Sequence, residues 1–367
     1  MFIQSLRLHD FRSYHQVLLT PPAGVTVFVG ENGAGKTNLL EAVHLCCLGR
    51  SHRTAFDREM IRAGQETAAV QVRVQRADGV DEVGVRLYSP LQKKRKLLYI
   101  NGKTAARTGE LMGHVTCVMF SPEDLDIVRG APQGRRRFVD MLLSQCGAGY
   151  YYALQTYNAA LKQRNALLYE LARGGNPAQL DAWDEQLAAA AAPVVRARQY
   201  AAQNLSALSR GHYAYISGRE NEPFSLRYAG CLAESAQPSE DLLRLLQRSR
   251  AEDIRRMTST VGPHRDDLAL SLCGQDMRAF ASQGQMRTAV LSLRLGELDM
   301  LTERQHEAPL LLLDDVLSEL DVGRRARLLE RIRGVQTLLT CTDLSDLTGA
   351  SPQAVLRVHN GEILSEI

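Results

Sequence analysis

Apolar and polar residues alternate with a period near two in several short runs of the first 120 positions, which read as mostly strand around one helix. Runs at 2–8, 17–19, 68–76, 83–88 and 96–100 each read as a strand with one buried face, punctuated by the turn signals Asp78-Gly79 and Asn101-Gly102. Val25-Thr26-Val27-Phe28-Val29 is apolar or β-branched throughout, as a buried strand requires, and 38–45 reads as an apolar helix. A further strand at 115–120 leads into Ser121-Pro122-Glu123-Asp124, a helix start with serine at N-cap and proline at N1. From about 132 the period changes. Stretches 150–172 and 179–209 have helix-forming composition and are broken by Gly174-Gly175-Asn176-Pro177, which predicts an antiparallel helical hairpin. The spacing is helical without a sustained heptad, so no long coiled coil is expected. Residues 213–228 read as containing strands, and 240–258 as helix. Beyond Gly262 the mixed pattern returns: apolar strands at 310–313 and 337–340 flank a helix at 322–333, a βαβ unit of a parallel sheet. The expected fold is α/β, with a first lobe formed by 1–130 and 259–367 and a helix-rich lobe, 131–258, inserted between them.

Composition narrows this little. The 367 residues suffice for one large or two ordinary domains, and 45% hydrophobic with 23% charged residues is usual for a soluble globular chain. A net charge of +3 permits a polyanionic partner without requiring one. The seven cysteines form no C-x-x-C pair, which argues against a disulfide framework or zinc site. Neither the N-terminus nor the alanine-rich stretch 187–195 resembles a signal peptide or membrane span, so a cytoplasmic protein with no membrane partner is expected.

The chemistry begins at Gly30-Glu31-Asn32-Gly33-Ala34-Gly35-Lys36-Thr37, which fits the phosphate-loop pattern G-x-x-x-x-G-K-[ST] between a strand and a helix. Gly30, Gly33 and Gly35 let the backbone turn several N–H groups onto one anion at a helix N-terminus. Lys36 is expected to reach the β- and γ-phosphates of a nucleoside triphosphate, and the Thr37 hydroxyl to ligate Mg²⁺. The apolar strand ending in Asp314-Asp315 supplies the acidic partner: Asp314 on the Mg²⁺ side, Asp315 to orient or deprotonate the attacking water. Ser282-Gln283-Gly284-Gln285 precedes a helix at 288–301. Alone it is equally an ordinary capped helix or a second anion site. The order decides: phosphate loop, S-x-G-x, acidic strand, then Ser318-Glu319-Leu320-Asp321 is the series of ABC-type ATPase heads.

Further segments resemble one branch of those ATPases, the RecF family of recombination mediators in the SMC/Rad50-like group. They are Leu6-x-Leu8-x-x-Phe11-Arg12-x-Tyr14, Ser51-His52-Arg53-Thr54, Phe120-Ser121-Pro122-Glu123-Asp124-Leu125, Gly134-Arg135-Arg136-Arg137-Phe138-Val139-Asp140, Tyr157-Asn158-x-Ala160-Leu161-Lys162-Gln163-Arg164-Asn165 and Gly262-Pro263-His264-Arg265-Asp266-Asp267-Leu268. The resemblance covers nearly the whole chain. It implies an ABC-type head with a small helical lobe, binding of ATP with Mg²⁺, and an ATP-dependent homodimer in which Ser282, Gly284 and Gln285 of one subunit face the nucleotide on the other. It also implies binding to duplex and gapped DNA, weak DNA-stimulated ATP hydrolysis, and help to RecR and RecO in loading RecA. Two positions depart from the wider ABC pattern. Asp315 stands where a catalytic glutamate is usual, and Thr342 where a switch histidine is usual; both favour slow turnover. No glutamine marks the Gln-loop, where Glu123 or a neighbour stands.

Three basic runs are candidates for DNA phosphates or, equally, for a solvated surface: Lys93-Lys94-Arg95 with Lys96, Arg135-Arg136-Arg137, and Arg324, Arg325, Arg327, Arg331 and Arg333 on one helix, with Arg53 as a further candidate. No motif for sequence-specific readout is present. An ABC transporter subunit would share the nucleotide motifs but not the RecF-like segments. A metabolic kinase would have no role for the S-x-G-x helix.

Overall fold

The computed structural model describes residues 1–92, 96–347 and 351–366. The chain divides into two compact units. One comprises Met1–Asp124, His212–Arg219 and Val290–Ile367, the other Leu125–Gly211 and Glu220–Ala289. This division differs from the one expected from the sequence, because residues 259–289 pack with the helical unit. The cause is a sheet: β10 (Asp267–Leu272) pairs antiparallel with β9 (Phe224–Ala229), with Ser271 opposite Ser225, and β11 (Gln275–Asp276) closes it.

The first unit holds two six-stranded sheets. One is antiparallel, in the order β2 (Tyr14–Leu19), β1 (Phe2–Phe11), β4 (Thr67–Arg76), β5 (Gly79–Tyr88), β6 (Leu97–Ile100), β7 (Lys103–Ala105). Its alternation sends Leu6, Leu8, Val70, Val72, Val83 and Val85 inward. The other runs β15 (Glu362–Glu366), β14 (Ala354–His359), β3 (Val25–Val29), β13 (Thr337–Cys341), β12 (Leu310–Asp314), β8 (Cys117–Phe120), parallel except for the β14–β15 hairpin. Helix α1 (Lys36–Leu48) packs against strands of both sheets, and nearly every one of its side chains is buried. That explains why its sequence is apolar all round rather than striped. The phosphate loop is therefore the link between a buried strand and a buried helix. The C-terminal hairpin β14–β15 has no counterpart in the sequence reading.

The helical unit contains α2 (Asp126–Arg129), α3 (Pro132–Cys146), α4 (Ala148–Leu171), α6 (Pro238–Arg256), α7 (Met277–Phe280) and the longer part of α5 (Leu180–Ser217). The expected hairpin forms between α4 and α5. Its turn has Gly174 at φ 117, Asn176 accepting the Ala178 N–H at 3.0 Å, and Leu168, Leu171 and Leu180 packed beneath. Helix α5 runs through Pro193 to Ser217, so residues 213–217 are helix and not strand. Tyr213 and Ile216, three apart, share one fully buried helix face, and the strand expected within 213–228 is β9. Helix α8 (Gln283–Gln305) begins five residues before the expected 288, and α9 is Val322–Arg331.

At the centre of the helical unit Arg164 is fully buried. It donates to Asp184 and Asp253, each at 2.7 Å, and to Ser259 Oγ at 2.7 Å. Removing this cation would leave buried Asp253 without a cationic partner and Asp184 with Arg250 alone.

Candidate nucleotide-binding site

The phosphate loop joins β3 to α1 inside the first unit. Gly30 has no room for a side chain, since a Cβ there would sit 2.2 Å from the Val358 carbonyl oxygen of β14. Gly35, at φ 115, is the left-handed N-cap of α1, and its carbonyl accepts the Tyr14 hydroxyl at 3.0 Å. The β14–β15 turn closes over the loop, with Gly361 N–H donating to Ala34 O at 2.9 Å. Residues far apart in sequence thus clamp the loop from both sides.

Lys36 is buried within the loop, its Nζ donating to Gly30 O at 2.6 Å and Glu31 O at 2.9 Å. Burial lowers its pKa, opposed by the charges of Asp315 and Asp314. The acidic strand sits two strands from β3, with β13 between them. Thr37 Oγ1 donates to Asp314 Oδ1 at 2.8 Å, and Thr340 Oγ1, on β13, donates to the same oxygen at 2.8 Å. Burial raises the Asp314 pKa and exposed Glu123 adds to the rise, while the two hydroxyls oppose it. Asp315 has φ 51, a left-handed conformation uncommon outside glycine. Its N–H donates to Thr340 Oγ1 at 2.9 Å, its carbonyl accepts Ser318 Oγ at 2.8 Å, and its Oδ1 is buried with no partner among the described residues. Lys36, Thr37, Asp314 and Asp315 thus meet at one place. Thr342 is exposed beyond the strand end; the threonine that touches the Asp314 carboxylate and the Asp315 backbone is Thr340, which the sequence reading missed.

The hard oxygens of Thr37 and Asp314, with the spare lone pairs of Asp315 beside them, fit Mg²⁺. Among the described residues no three His, Cys, Asp or Glu side chains cluster into a metal cage. A cation held here by Thr37 and Asp314 would need its remaining ligands from phosphate and water, as Mg²⁺ does in nucleotide sites.

Three RecF-like segments turn out to brace this site. Glu41 of α1 is fully buried and receives Arg12 bidentately at 2.8 and 2.7 Å, together with Ser51 Oγ. Arg53 is exposed and donates to Asn38 Oδ1 at 3.1 Å, with Glu41 3.8 Å away. Asp124 is gripped by buried Arg294 at 3.1 and 2.6 Å, and Arg294 also meets Glu297 at 2.7 Å. That pair fixes the backbone next to Glu123.

Ser282 lies in the helical unit, where it is exposed and caps α8 reciprocally. Its Oγ accepts the Gln285 N–H at 3.3 Å, and Gln285 Oε1 accepts the Ser282 N–H at 2.9 Å. Gly284 follows in the first turn, its carbonyl accepting Thr288 Oγ1.

The basic runs fare unevenly. Arg135 is not a surface cation: it is 4% exposed, bidentate to Asp267 at 2.6 and 2.9 Å, and donates to the Ile127 and Gly130 carbonyls. Arg136 is half-buried against the Asp266 carbonyl at 2.6 Å, whereas Arg137 is exposed. Arg324, Arg325, Arg327 and Arg331 each bond within the first unit, to Asp321, the Leu317 carbonyl, the Ile216 carbonyl and Asp299. Lys93, Lys94 and Arg95 lie outside the described residues. The exposed arginines with no side-chain partner among the described residues that the sequence reading missed include Arg7, Arg73 and Arg86. All three lie on the solvent face of the antiparallel sheet, around Ala69, Gln71 and Gly84.

The sequence matches the family described as RecF/RecN/SMC N terminal domain over residues 2–360. It is 42% identical to the DNA replication and repair protein RecF of Symbiobacterium thermophilum over 353 residues, covering 95% of this chain and 93% of that one. It is also 42% identical to the RecF of Gloeobacter violaceus, covering 99% and 98%. A solved structure described as the recombination mediator protein RecF with ATP in the RecFOR pathway superposes with a TM-score of 0.92 at 32% identity, covering 100% of this chain and 97% of that one. The Smc head of Pyrococcus furiosus, at TM-score 0.59 and 16% identity, shares the fold.

Proposed function

This chain belongs to the RecF family of the RecF/RecN/SMC group, and from that premise we propose that it is an ATP-dependent DNA-binding protein of recombinational repair and replication-fork maintenance. ATP drives two copies together on duplex or gapped DNA, slow hydrolysis releases them, and the loaded state helps RecR and RecO place RecA at single-stranded gaps. The observation that carries the reading is the convergence of Lys36, Thr37 and Asp314 on one loop, beside a buried Asp315 oxygen left without a partner. The ATP-bound solved relative supports it.

Mg²⁺, when bound, neutralises phosphate charge and orients the γ-phosphate. Lys36 binds the β- and γ-phosphates, exchanging its loop carbonyls for them. Thr37 and Asp314 present oxygens to the cation. Asp315 Oδ1 accepts a proton of the attacking water, from a carboxylate one methylene shorter than glutamate. Ser282, Gly284 and Gln285 present the helix start to the nucleotide of the second copy. On the DNA side, Arg7, Arg73 and Arg86 join Arg53 and Arg137 as phosphate contacts that carry no sequence preference.

Sedimentation with and without ATP and Mg²⁺, then with duplex DNA, tests the reading. ATP-dependent dimers and DNA-stimulated turnover are expected. Neutralising Arg7, Arg73 and Arg86 should flatten the slope of log K against log salt by about 0.9 per lost contact. Asp315→Asn should keep ATP binding and slow hydrolysis; a wild-type rate removes Asp315 from that role. A chain with no affinity for DNA at low salt, with or without ATP, defeats the reading as a whole.

A further inference from the structure

We propose that Thr340 is a positioning residue, whose single hydroxyl holds the metal-side carboxylate and the water-side carboxylate in one fixed arrangement. The inference rests on the ATP reading above and concerns a residue that neither the phosphate-loop pattern nor the acidic-strand pattern includes.

The geometry is set by the sheet. Strands β12 and β13 are parallel neighbours in which Asp314 pairs with Thr340, so the threonine lies directly beside the end of the acidic strand. It is 1% exposed, so water does not compete for its hydroxyl. A hydroxyl has one proton and two lone pairs. Here the proton goes to Asp314 Oδ1 at 2.8 Å, and a lone pair receives the Asp315 N–H at 2.9 Å. One atom therefore touches both acidic residues, through the side chain of the first and the backbone of the second.

Each contact has a separate consequence. Thr37 donates to the same Asp314 oxygen, so two hydroxyls from two elements pin that carboxylate along one edge and fix its plane. Such outer contacts keep a ligand oxygen aimed before a cation arrives. Asp315 is the first residue past the strand, where the backbone swings into a left-handed conformation at φ 51 and its N–H leaves the ladder. Thr340 Oγ1 takes up that N–H, and Ser318 Oγ donates to the carbonyl of the same residue at 2.8 Å. The turn that aims the Asp315 carboxylate is thus held at both ends of the residue. Valine matches threonine in shape but offers neither bond; serine offers both and lacks only the methyl group.

The test compares wild type, Thr340→Val and Thr340→Ser as full-length chains. It measures ATP affinity in EDTA, the Mg²⁺ concentration giving half-maximal hydrolysis, and the single-turnover hydrolysis rate. For Thr340→Val, ATP affinity in EDTA should stay within about twofold of wild type, while the Mg²⁺ requirement rises and the rate falls by about 10-fold or more, the usual cost of losing an outer contact at a metal site. Thr340→Ser should recover most of both losses. Wild-type Mg²⁺ dependence and rate in Thr340→Val overturn the proposal. A serine variant as impaired as the valine variant overturns it too, since the methyl group and not the hydroxyl would then matter. If the valine variant does not fold, Thr340→Cys, with a weak donor of similar size, takes its place under the same criteria. A wild-type chain that neither binds nor hydrolyses ATP breaks the underlying reading instead, so the two failures are distinguishable.

Discussion

The nucleotide site and the Arg164 cluster of the helical unit both set cations against carboxylates, and they differ in what happens to the carboxylate lone pairs. Around Arg164 every carboxylate oxygen is engaged by a protein donor. Asp184 takes Arg164 on one oxygen and Arg250 on the other; Asp253 takes Arg164 and Ser249 on one and Thr260 on the other. At the phosphate loop, Asp315 Oδ1 has no partner among the described residues, and Lys36 has only carbonyls to hold. Charge that is satisfied internally fixes a fold, whereas unsatisfied charge is available to a ligand. The segment Gly262–Asp267 is mostly of the first kind, although Asp266 Oδ1, like Asp315 Oδ1, is buried with no partner among the described residues. Pro263 O accepts Arg198 at 2.6 Å, His264 takes the Tyr157 hydroxyl, Asp266 takes the Tyr228 hydroxyl, and Asp267 pairs with Arg135. Its density of charged residues marks a buckle in the helical unit.

The contrast is breakable by mutation. Arg164→Met should have the largest effect, destabilising the helical unit by about 3–5 kcal/mol by stranding buried Asp253 and halving the cations at Asp184, while the folded fraction still binds ATP. Urea unfolding with nucleotide binding measured below the transition checks this, and a loss under about 1 kcal/mol would place Arg164 outside the buried-charge rule. Lys36→Met should do the reverse, weakening ATP binding by about 100-fold or more with little change in the unfolding midpoint, because the cation's protein partners are loop carbonyls that it gives up to phosphate. Calorimetric titration tests it. An unfolded variant would make Lys36 part of the scaffold.

His264 gives a pH test of the buckle. Burial, reinforced by the charges of Arg265 and Arg136, lowers its pKa to about 4 from the usual 6.5. The unfolded chain therefore takes up the proton first as pH falls. This contribution is intact above 6.5 and is lost progressively toward 4, amounting to about 2 kcal/mol between pH 7 and 5. His264→Gln should be less stable than wild type at pH 7, with the gap narrowing at pH 5. A gap independent of pH would show that the histidine is not held neutral. The smallest effect is expected at Ser282→Ala, which removes one half of the α8 capping box and should cost about 1 kcal/mol of stability. ATP-dependent sedimentation of the same variant should lose its dimer. Intact dimerisation would reduce Ser282 to a helix cap.

Much of the site was legible in advance because its parts are local. A strand, a glycine-rich turn, a lysine and a helix occupy consecutive residues, and the acidic strand declares itself through four leucines followed by two aspartates. The helical hairpin was legible for the same reason. The fate of the arginines was not. Arg135, Arg136 and Arg137 look alike in sequence, yet the first is spent on Asp267, the second leans on a carbonyl and the third is exposed. Helix α5 was read as ending at 209, and its last turns fell in a stretch expected to contain strands, of which only β9 is one.

By itself, then, the sequence determined that a triphosphate-binding turn exists, that an acidic strand accompanies it, and that a helical lobe interrupts the sheets. Each depends on residues that are neighbours along the chain. Only the tertiary structure decided that Thr340 serves the acidic pair, that Glu41 gathers Arg12 and Ser51 behind the loop, that Gly361 closes over Ala34, and that residues 259–289 belong with the helical unit. Those outcomes depend on which strand lies beside which and in what register. Strand order and register are settled by the packing of the whole unit, since no short stretch encodes its partner.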